Sequence, residues 1–557
     1  MNTLLLLLVW SLPLVLAMFA GWRHARWVVL IAPLPALVVA ATLPVDTRIA
    51  LPWLLLGSEL GLDPTGRVFL LFSGLLWLAA SLYAAGSSAS ERHTARWRIF
   101  FLLAMSGNLG LIVAQDMVSF YLGFTLMGLA VYGLVVHPAT LRARRAARRY
   151  LAWTIAGELL LFVAVVMLVA QNAGALSFDG LASKPPAGLV VLLLVIGFGI
   201  KLALPGLHLW LPQTYAVTPT PGVAVLSGAM IKAGLLGWLR FLPPGDAALA
   251  DWGQGLMVAG IAGIFFGAGV GLLQQRPRLL LGYSSISKMG VLTAGMGATL
   301  AWPAAAPALI GALALYAAHH ALVKGALFLG LGLAERGGLR PWLVVGLGFL
   351  ALALAGAPFT SGALAKSALT TGLPEQAQQL VTLLAASALA TTLLMARFLF
   401  LVWKQCRSGP APYSTASTTA WLALLALIAL FPFVLATTGQ LAVNLAPLSL
   451  GVVLAAAALA AARRLPGRRA MGQPLAAARR AAFRSARTAR QLPRAARFSK
   501  PRLPTLWRDL RERIRQSPEY RSLQPRNVGA GDKGWSLAGA VWLGISALLM
   551  VAFVATA

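Results

Sequence analysis

Long apolar runs alternate with short polar segments along almost the whole chain of 557 residues. Each run is about 20 residues long, which is the length of an α-helix that crosses a bilayer. The runs lack the period-two alternation over about 10 residues that is typical of a membrane-barrel strand. About sixteen spanning helices are therefore predicted. They lie at 3–20, 26–45, 66–86, 98–115, 117–136, 150–171, 187–206, 222–241, 254–275, 279–299, 304–332, 341–369, 377–404, 418–437, 442–462 and 535–556.

The first run is interpreted as a spanning helix and not as a cleaved signal, because no basic residues precede it. The strongly basic loops all follow odd-numbered runs, at 23–26, 92–98, 142–149, 276–278, 336–340, 404–407 and from 463 onward. The alternate loops carry the acids Asp46, Asp63, Asp116, Asp246, Asp251 and Glu375. Since basic loops stay in the cytoplasm, this pattern predicts a bacterial inner-membrane protein with both termini on the outer face.

The net charge of +31 at first suggests a nucleic-acid-binding protein. Its placement in loops instead favours topology signals and contacts with anionic lipid headgroups, so nucleic acid is not an expected partner. The largest basic block, 463–533, is predicted to be cytoplasmic, with a surface helix at 475–492 and disorder as the alternative for the rest. The predicted organisation is therefore N-terminal spans at 1–115, a core at 116–404, further spans at 405–462, the basic segment 463–533 and a last span at 534–557.

A few ionisable residues lie inside the apolar runs. Each costs roughly 2.5–3.5 kcal/mol to insert and is therefore a candidate functional residue. They are Glu158, Lys201, Lys232, His319, His320, Lys324 and Lys366. Removal from water favours the neutral form of lysine and glutamate, so both can exchange protons near neutral pH, where histidine already titrates. The row therefore predicts a proton relay whose members influence one another.

Two of the runs contain helix breakers at membrane depth, namely Pro205 with Gly206, and Pro358. Such breaks are tolerated where the backbone is buried in protein or lines a hydrated cavity. Other interpretations remain open for some of the bases. Lys366 could extend to the interface, His319 could be a packing residue, and Lys288 is expected at the interface.

Several motifs around these residues resemble the signature of antiporter-like proton-translocating subunits. They are KLALPGLHLWLP at 201–212, TPTP at 218–221, SGAMIKAG at 227–234, LRF at 239–241, RLLLGYSSISKMG at 278–290, HALVKGALFL at 320–329 and APFTSG at 357–362. That superfamily contains the large membrane subunits of respiratory complex I, multisubunit Na+/H+ antiporter subunits and hydrogenase-4 component B-like subunits. The resemblance covers roughly residues 60–400 and looks closest to the hydrogenase-4 branch.

The resemblance implies an all-α membrane fold of two inverted five-helix repeats, each with a broken helix, here the seventh and twelfth spans. It also implies that Lys201 and Lys232 are the central lysine pair, that His320 and Lys324 connect two half-channels, and that Lys366 is the outlet. The chain departs from the family at one position. Alignment on DMVSFYLGF at 116–124 puts Thr125 where the family has a glutamate. Either Glu158 replaces that acid, or the subunit conducts poorly and has a structural or altered coupling role.

Four functions are compatible with these observations. The first is a proton-translocating subunit of a redox-driven complex, with other membrane subunits as partners. The others are a cation/proton antiporter subunit that moves H+ and possibly Na+, an ion-coupled partner of an inorganic-carbon uptake system, and a scaffold that does not conduct. The single Cys406 excludes internal disulfides and multi-cysteine metal sites. No cofactor or metal is expected, so any redox chemistry would belong to partners.

Overall fold

The chain forms a bundle of long apolar helices in the computed structural model, which describes residues 2–22, 25–54, 56–86, 94–182, 186–409, 411–435 and 449–456. The α-helices, in chain order, are α1 Asn2–Met18, α2 Ala25–Ile31, α3 Leu34–Thr42, α4 Pro64–Ala85, α5 Thr94–Val113, α6 Met117–Val136, α7 Leu141–Gln171, α8 Gly188–Leu202, α9 Leu211–Val217, α10 Thr220–Gly228, α11 Ala233–Phe241, α12 Ala250–Leu272, α13 Pro277–Ala301, α14 Ala306–Gly337, α15 Pro341–Ala355, α16 Ser361–Thr371, α17 Gln378–Gln405 and α18 Thr415–Leu435. Short 3-10 turns lie at Phe178–Ala182, His208–Trp210, Met230–Lys232, Ala247–Leu249, Pro303–Ala305 and Glu375–Ala377.

Within the described ranges, nine helical segments are long and apolar enough to cross a membrane, and four further apolar helical segments are shorter. This identifies a multi-pass, helical membrane protein. The count of sixteen spans and the two inverted repeats remain predictions. The predicted segment 463–533, the last span at 535–556 and most of 442–462 lie outside the described residues.

Two predicted spans are divided at positions where no break was predicted. The run at 26–45 is interrupted between α2 and α3, where Pro33 has no backbone N–H to continue the ladder. The run at 222–241 is interrupted between α10 and α11 by the 3-10 turn Met230–Lys232. A 3-10 turn in the middle of a helix often marks a functional or strained position. Apolar periodicity could not reveal this break, because the sequence there contains no proline.

The polar segment between the second and third spans forms a small β-hairpin that the sequence analysis missed. Strand β1, Thr47–Leu51, pairs antiparallel with β2, Ser58–Leu62. Asp116 caps α6 by accepting from Ser119 N at 2.7 Å, and its other oxygen accepts from Glu59 N at 2.9 Å. Arg48 forms an ion pair with Asp179 and holds the pKa of that carboxyl below its usual value. The loops that follow the second, fourth and sixth spans thus contact one another.

A second group of loops gathers in the same way. Arg278, at the start of α13, forms a 2.7 Å ion pair with Glu335 at the end of α14. Gln405 Nε2 donates to Gln275 O at 2.7 Å, and Gly338 pairs with Ser408 in an isolated bridge. These loops follow the ninth, eleventh and thirteenth spans. Loops after odd-numbered spans therefore meet each other, as they must if successive spans cross the bilayer in alternating directions.

Helices α12 and α13 pack with their backbones in contact. Gly253, Gly260 and Gly267 are spaced by seven residues, and a methyl group on any of them would overlap the backbone of α13. Small residues at helical spacing permit this close approach between membrane helices. The contact places α13, and with it Lys288, deep in the bundle.

Candidate functional site

The first helix break positions Lys201. Helix α8 ends at Leu202, and Ala203 takes a left-handed conformation with φ +56°. Pro205 and Gly206 lie in the turn that follows, where Gly206 has φ +86°. The indole of Trp210 folds back and donates to Ile200 O at 2.7 Å, which satisfies one carbonyl of the broken helix end. Lys201 therefore lies in the last turn of a helix that stops inside the protein.

The Lys201 ammonium group is enclosed by aromatic rings. The residue is 5% exposed, and its Nζ lies 5.4 Å from the centroid of the Phe124 ring and 6.0 Å from that of Tyr150. Both distances permit cation–π attraction. Nζ has no hydrogen-bond partner among the described residues. The residue that attracts it electrostatically is Glu158.

Glu158 reaches this pocket from α7. Helix α7 comes close to α8 where Gly157 faces Gly197, and a Cβ on Gly157 would lie 3.3 Å from Gly197 O. Glu158 is buried, and its Oε1 has no hydrogen-bond partner in the described part of the chain. The carboxylate lies against Gly128 of α6, three residues after Thr125. The fold thus brings Glu158 and Lys201 together beside the turn of α6 where the resemblance led us to expect an acid.

Lys232 lies at the second interruption, in the 3-10 turn between α10 and α11. It is fully buried, and its Nζ donates to Ser227 O at 2.8 Å. This carbonyl belongs to the last turn of α10, where carbonyls lack intrahelical partners and the helix dipole is negative. The ammonium group of Lys324 repels that of Lys232. Lys201 and Lys232 therefore have different charged neighbours.

Helix α14 supplies three adjacent bases. Lys324 Nζ donates to Leu281 O at 2.9 Å. His319 Nδ1 lies 2.9 Å from Ser361 Oγ, at the start of α16. His320 is fully buried, and neither of its ring nitrogens has a hydrogen-bond partner in the described ranges. It lies within electrostatic range of Lys232, Lys324, His319 and Lys288.

Lys288 is the residue that the sequence interpretation misplaced. It was expected at the interface, but it is 1% exposed and its Nζ has no hydrogen-bond partner in the described structure. Lys366 and Lys324 are the charged groups that interact with it electrostatically. The signal that could have revealed it is the glycine spacing of α12, which pulls α13 inward.

Lys366 lies beside a third helix break, between α15 and α16. Helix α15 ends at Ala355, Gly356 is left-handed with φ +88°, and Phe359 also has a positive φ of +59°. Pro358 lies between them. Lys366 is half-buried on α16, and its Nζ donates to Ala355 O at 2.7 Å. Like Lys232, it binds a carbonyl that a broken helix leaves free.

Eight of the buried ionisable residues therefore form two groups. The first is the acid–base pair Glu158 and Lys201. The second contains only bases, and its members interact electrostatically from one to the next. It comprises Lys232, His320, Lys324, His319, Lys288 and Lys366. Adjacent buried bases repel one another when charged, so the charge of each base affects its neighbours.

The unpartnered polar atoms of both groups are of the kind that internal water molecules bind. Such waters can connect donors and acceptors that do not touch directly. Chemically, the arrangement can accept, hold and pass protons. No group of three or more His, Cys, Asp or Glu side chains within the described ranges could hold a metal ion.

Comparison with known proteins places this arrangement in a family. The model of the NADH:quinone oxidoreductase/Mrp antiporter transmembrane family matches residues 114–393, which is half of the chain and includes every residue of both groups. The chain belongs to this family. The expected resemblance to antiporter-like membrane subunits is thereby confirmed.

Individual family members match over stretches of similar length. NADH-quinone oxidoreductase subunit N from Desulforudis audaxviator is 33% identical over 291 residues, which is 50% of this chain and 56% of that protein. Subunit M of the Escherichia coli enzyme is 28% identical over 258 residues, 43% of this chain and 50% of that protein. The chain thus spans about half the length of the curated relatives it matches.

Two solved structures share the fold. The Mrp complex from Dietzia covers 96% of this chain and 64% of its own, with a TM-score of 0.67 and 22% identity. The membrane-bound sulfane sulfur reductase, an archaeal respiratory membrane complex, covers 76% of this chain and 94% of its own, with a TM-score of 0.65 and 18% identity. Because both sequence identities are below 25%, the likeness shows that this chain shares their fold and nothing further.

Proposed function

We propose that this chain is a proton-translocating membrane subunit of a multisubunit respiratory complex of the complex I-like or hydrogenase-like kind. The observation that carries the proposal is the second group of buried residues, in which interacting bases run from the broken helix α10–α11 to the broken helix α15–α16. Buried, unpaired bases are costly, and within a membrane they are typical of ion pathways and proton relays.

Glu158 and Lys201 form the loading site in this proposal. When Lys201 is protonated, Glu158 stabilises the ammonium group electrostatically, and the rings of Phe124 and Tyr150 add cation–π attraction. If the carboxylate becomes protonated, that stabilisation is lost and Lys201 releases its proton to water. The proton therefore leaves Nζ as hydronium, and the lysine becomes neutral.

Repulsion moves protons through the second group. A proton arriving at Lys232 disfavours protonation of Lys324 and His320, which lie within electrostatic range. Lys288 and His319 in turn interact electrostatically with Lys366. A charge at Lys232 therefore influences Lys366 through the bases between them. Each step moves one proton between a neutral and a charged base through hydrogen bonds or intervening water.

The assembly is part of the same proposal. The relatives are named as subunits of NADH-quinone oxidoreductases, and the structural neighbours belong to multisubunit membrane complexes. We infer that this chain likewise works beside other membrane subunits in a bacterial inner membrane, with both termini on the outer face. The redox reaction, where one drives the pathway, would take place in those partners.

A cation/proton antiporter subunit is the second candidate. It is favoured by the Mrp complex, which matches 96% of this chain in fold. The two candidates differ in their response to Na+. An antiporter moves protons when a Na+ gradient is imposed without a redox substrate, whereas a redox-driven subunit does not.

The test uses membrane vesicles that contain the full complex, an imposed potassium diffusion potential and a pH-sensitive dye. We expect Lys201→Ala and Lys232→Ala to lower proton translocation by about 10²-fold or more, the lower end of what a positioned proton donor contributes. Assembly should survive. The matched control is Lys404→Ala, at an exposed lysine near the end of α17, which should leave the rate unchanged. Wild-type translocation in both buried-lysine variants would overturn the relay.

A further inference from the structure

The glycine at position 128 leaves the space in which the Glu158 carboxylate lies. A Cβ at Gly128 would overlap Glu158 Oε1 and would come within 3.1 Å of Thr154 Cγ2. Neither atom can stay in place if residue 128 has a side chain. Tyr150, Thr154 and Glu158 are spaced by four residues and therefore share one face of α7. Gly128 is the residue of α6 that this face packs against.

The register of the two helices is set by a hydrogen bond at the same glycine. Tyr150 Oη donates to Gly128 O at 2.8 Å, and Tyr150 is fully buried. The phenol therefore holds α6 and α7 at the level where Glu158 faces the open position. A shift of either helix would carry the carboxylate away from Lys201.

A second position on α6 lies on the same helix face as Gly128. Thr125 lies one turn before Gly128, and residues three apart share a helix face. Its Oγ1 is buried without a hydrogen-bond partner among the described residues. Its neighbour Phe124 has its ring 5.4 Å from Lys201 Nζ. A longer polar side chain at 125 would therefore extend from the face of α6 that packs against Glu158, next to the residue whose ring contacts Lys201.

We infer that Gly128 is a positioning residue that seats the Glu158 carboxylate beside Lys201, and that position 125 is an equivalent seat for an acid on α6. The inference rests on the proposed proton translocation and specifies how its loading site is built. The acid is required, whereas the helix that carries it is exchangeable. Gly128 is required only while the acid comes from α7.

The experiment compares Glu158→Gln, Thr125→Glu with Glu158→Gln, and Gly128→Ala alone and in that double variant. Proton translocation is measured in vesicles with the full complex and normalised to assembled protein. Glu158→Gln should lower the rate by about 10²-fold. Adding Thr125→Glu should raise the rate of that variant by about tenfold or more. Recovery should be incomplete, because a carboxylate displaced by about 1 Å still loses part of the rate.

Gly128→Ala alone should lower the rate by about tenfold or more, since it displaces the carboxylate. In the double variant it should change the rate by less than about twofold, because the acid no longer comes from α7; such non-additivity is expected for residues in contact, as Gly128 and Glu158 are. Gly269→Ala is the matched control, because a side chain there meets no atom within 4 Å. Gly269→Ala should leave the rate of proton translocation unchanged in both backgrounds.

Equal losses from Gly128→Ala in both backgrounds would reduce Gly128 to a packing residue and overturn the inference. So would a failure of Thr125→Glu to restore any rate. If Gly128→Ala does not assemble, the rescue of Glu158→Gln by Thr125→Glu still tests whether an acid on α6 can replace the acid on α7. The proposed function itself fails by a different result, namely wild-type rates in both Glu158→Gln and Lys201→Ala.

Discussion

At the scale of single residues, carbonyls freed by broken helices take the place of acids as partners for buried lysines. Lys232 donates to Ser227 O and Lys366 to Ala355 O, whereas Lys324 donates to Leu281 O inside the unbroken helix α13. A carbonyl oxygen accepts a hydrogen bond from either the charged or the neutral amine. It therefore holds the side chain in place without fixing its charge, which a carboxylate at close range would do. Only Lys201 has an acid as its described electrostatic partner.

Lys288 provides a residue-scale prediction. If it passes protons between the α14 bases and Lys366, Lys288→Met should lower translocation by about 10²-fold. Lys288→Arg should lower it too, because a guanidinium keeps its charge and cannot release its proton. The measurement is the vesicle assay under an imposed potential. A wild-type rate with arginine would mean that Lys288 supplies only a positive charge.

At the scale of elements, interruptions and close contacts decide where the ionisable residues lie. Three broken segments present Lys201, Lys232 and Lys366 beside free backbone ends. The contact between α12 and α13 brings Lys288 from an expected interface into the interior. Since α13 contacts α12 along glycines spaced by seven residues, the position of Lys288 depends on residues that carry no charge.

The α12–α13 contact yields a prediction about stability. A methyl group at Gly260 would overlap Ala294 N and lie 2.6 Å from Gly290 O, so Gly260→Ala must push two backbones apart. Overpacking of this kind costs about 1–3 kcal/mol of unfolding free energy. Denaturant titration of the purified protein in detergent micelles measures the loss. Gly269→Ala, on the same helix but facing open space, should cost nothing. Equal stability of the two variants would contradict the backbone contact.

At the scale of the whole molecule, the described loops divide into two sets that meet separately. One set joins the hairpin of β1 and β2 to the start of α6 and to Asp179. The other joins the start of α13 to the ends of α14 and α17. This division agrees with the alternation of acidic and basic loops along the sequence. The charge pattern further predicts that the basic set faces the cytoplasm.

Sided labelling tests that orientation. In a Cys406→Ser background, Ala248→Cys should react with an impermeant maleimide in intact cells, while Arg340→Cys should react only after permeabilisation. Both positions are exposed in loops, and they follow the eighth and eleventh spans. Cys406 itself is buried, so the background change serves as a precaution. Reaction of both cysteines from the same side would refute the alternation of spans.

Much of the architecture follows from local chemistry and was predictable. Apolar runs of bilayer length form helices, because no other structure satisfies the backbone inside lipid. Intramembrane charges are conspicuous in sequence, and the motifs around Lys201, Lys232 and Lys324 led directly to the family. The β-hairpin and the break at Met230–Lys232 were missed, since short strands and 3-10 turns leave little trace in apolar periodicity.

The residue types that are buried, the basic loops and the family resemblance could all be recognised from the order of residues along the chain. They follow from composition and spacing in one dimension. The contacts between ionisable groups depend instead on the three-dimensional packing. It pairs Glu158 of α7 with Lys201 of α8, separates that pair from the group of bases around Lys232, and adds Lys288 to that group. The physical reason is that electrostatic coupling depends on distance and burial, and both are set by helix packing at residues such as Gly128 and Gly260.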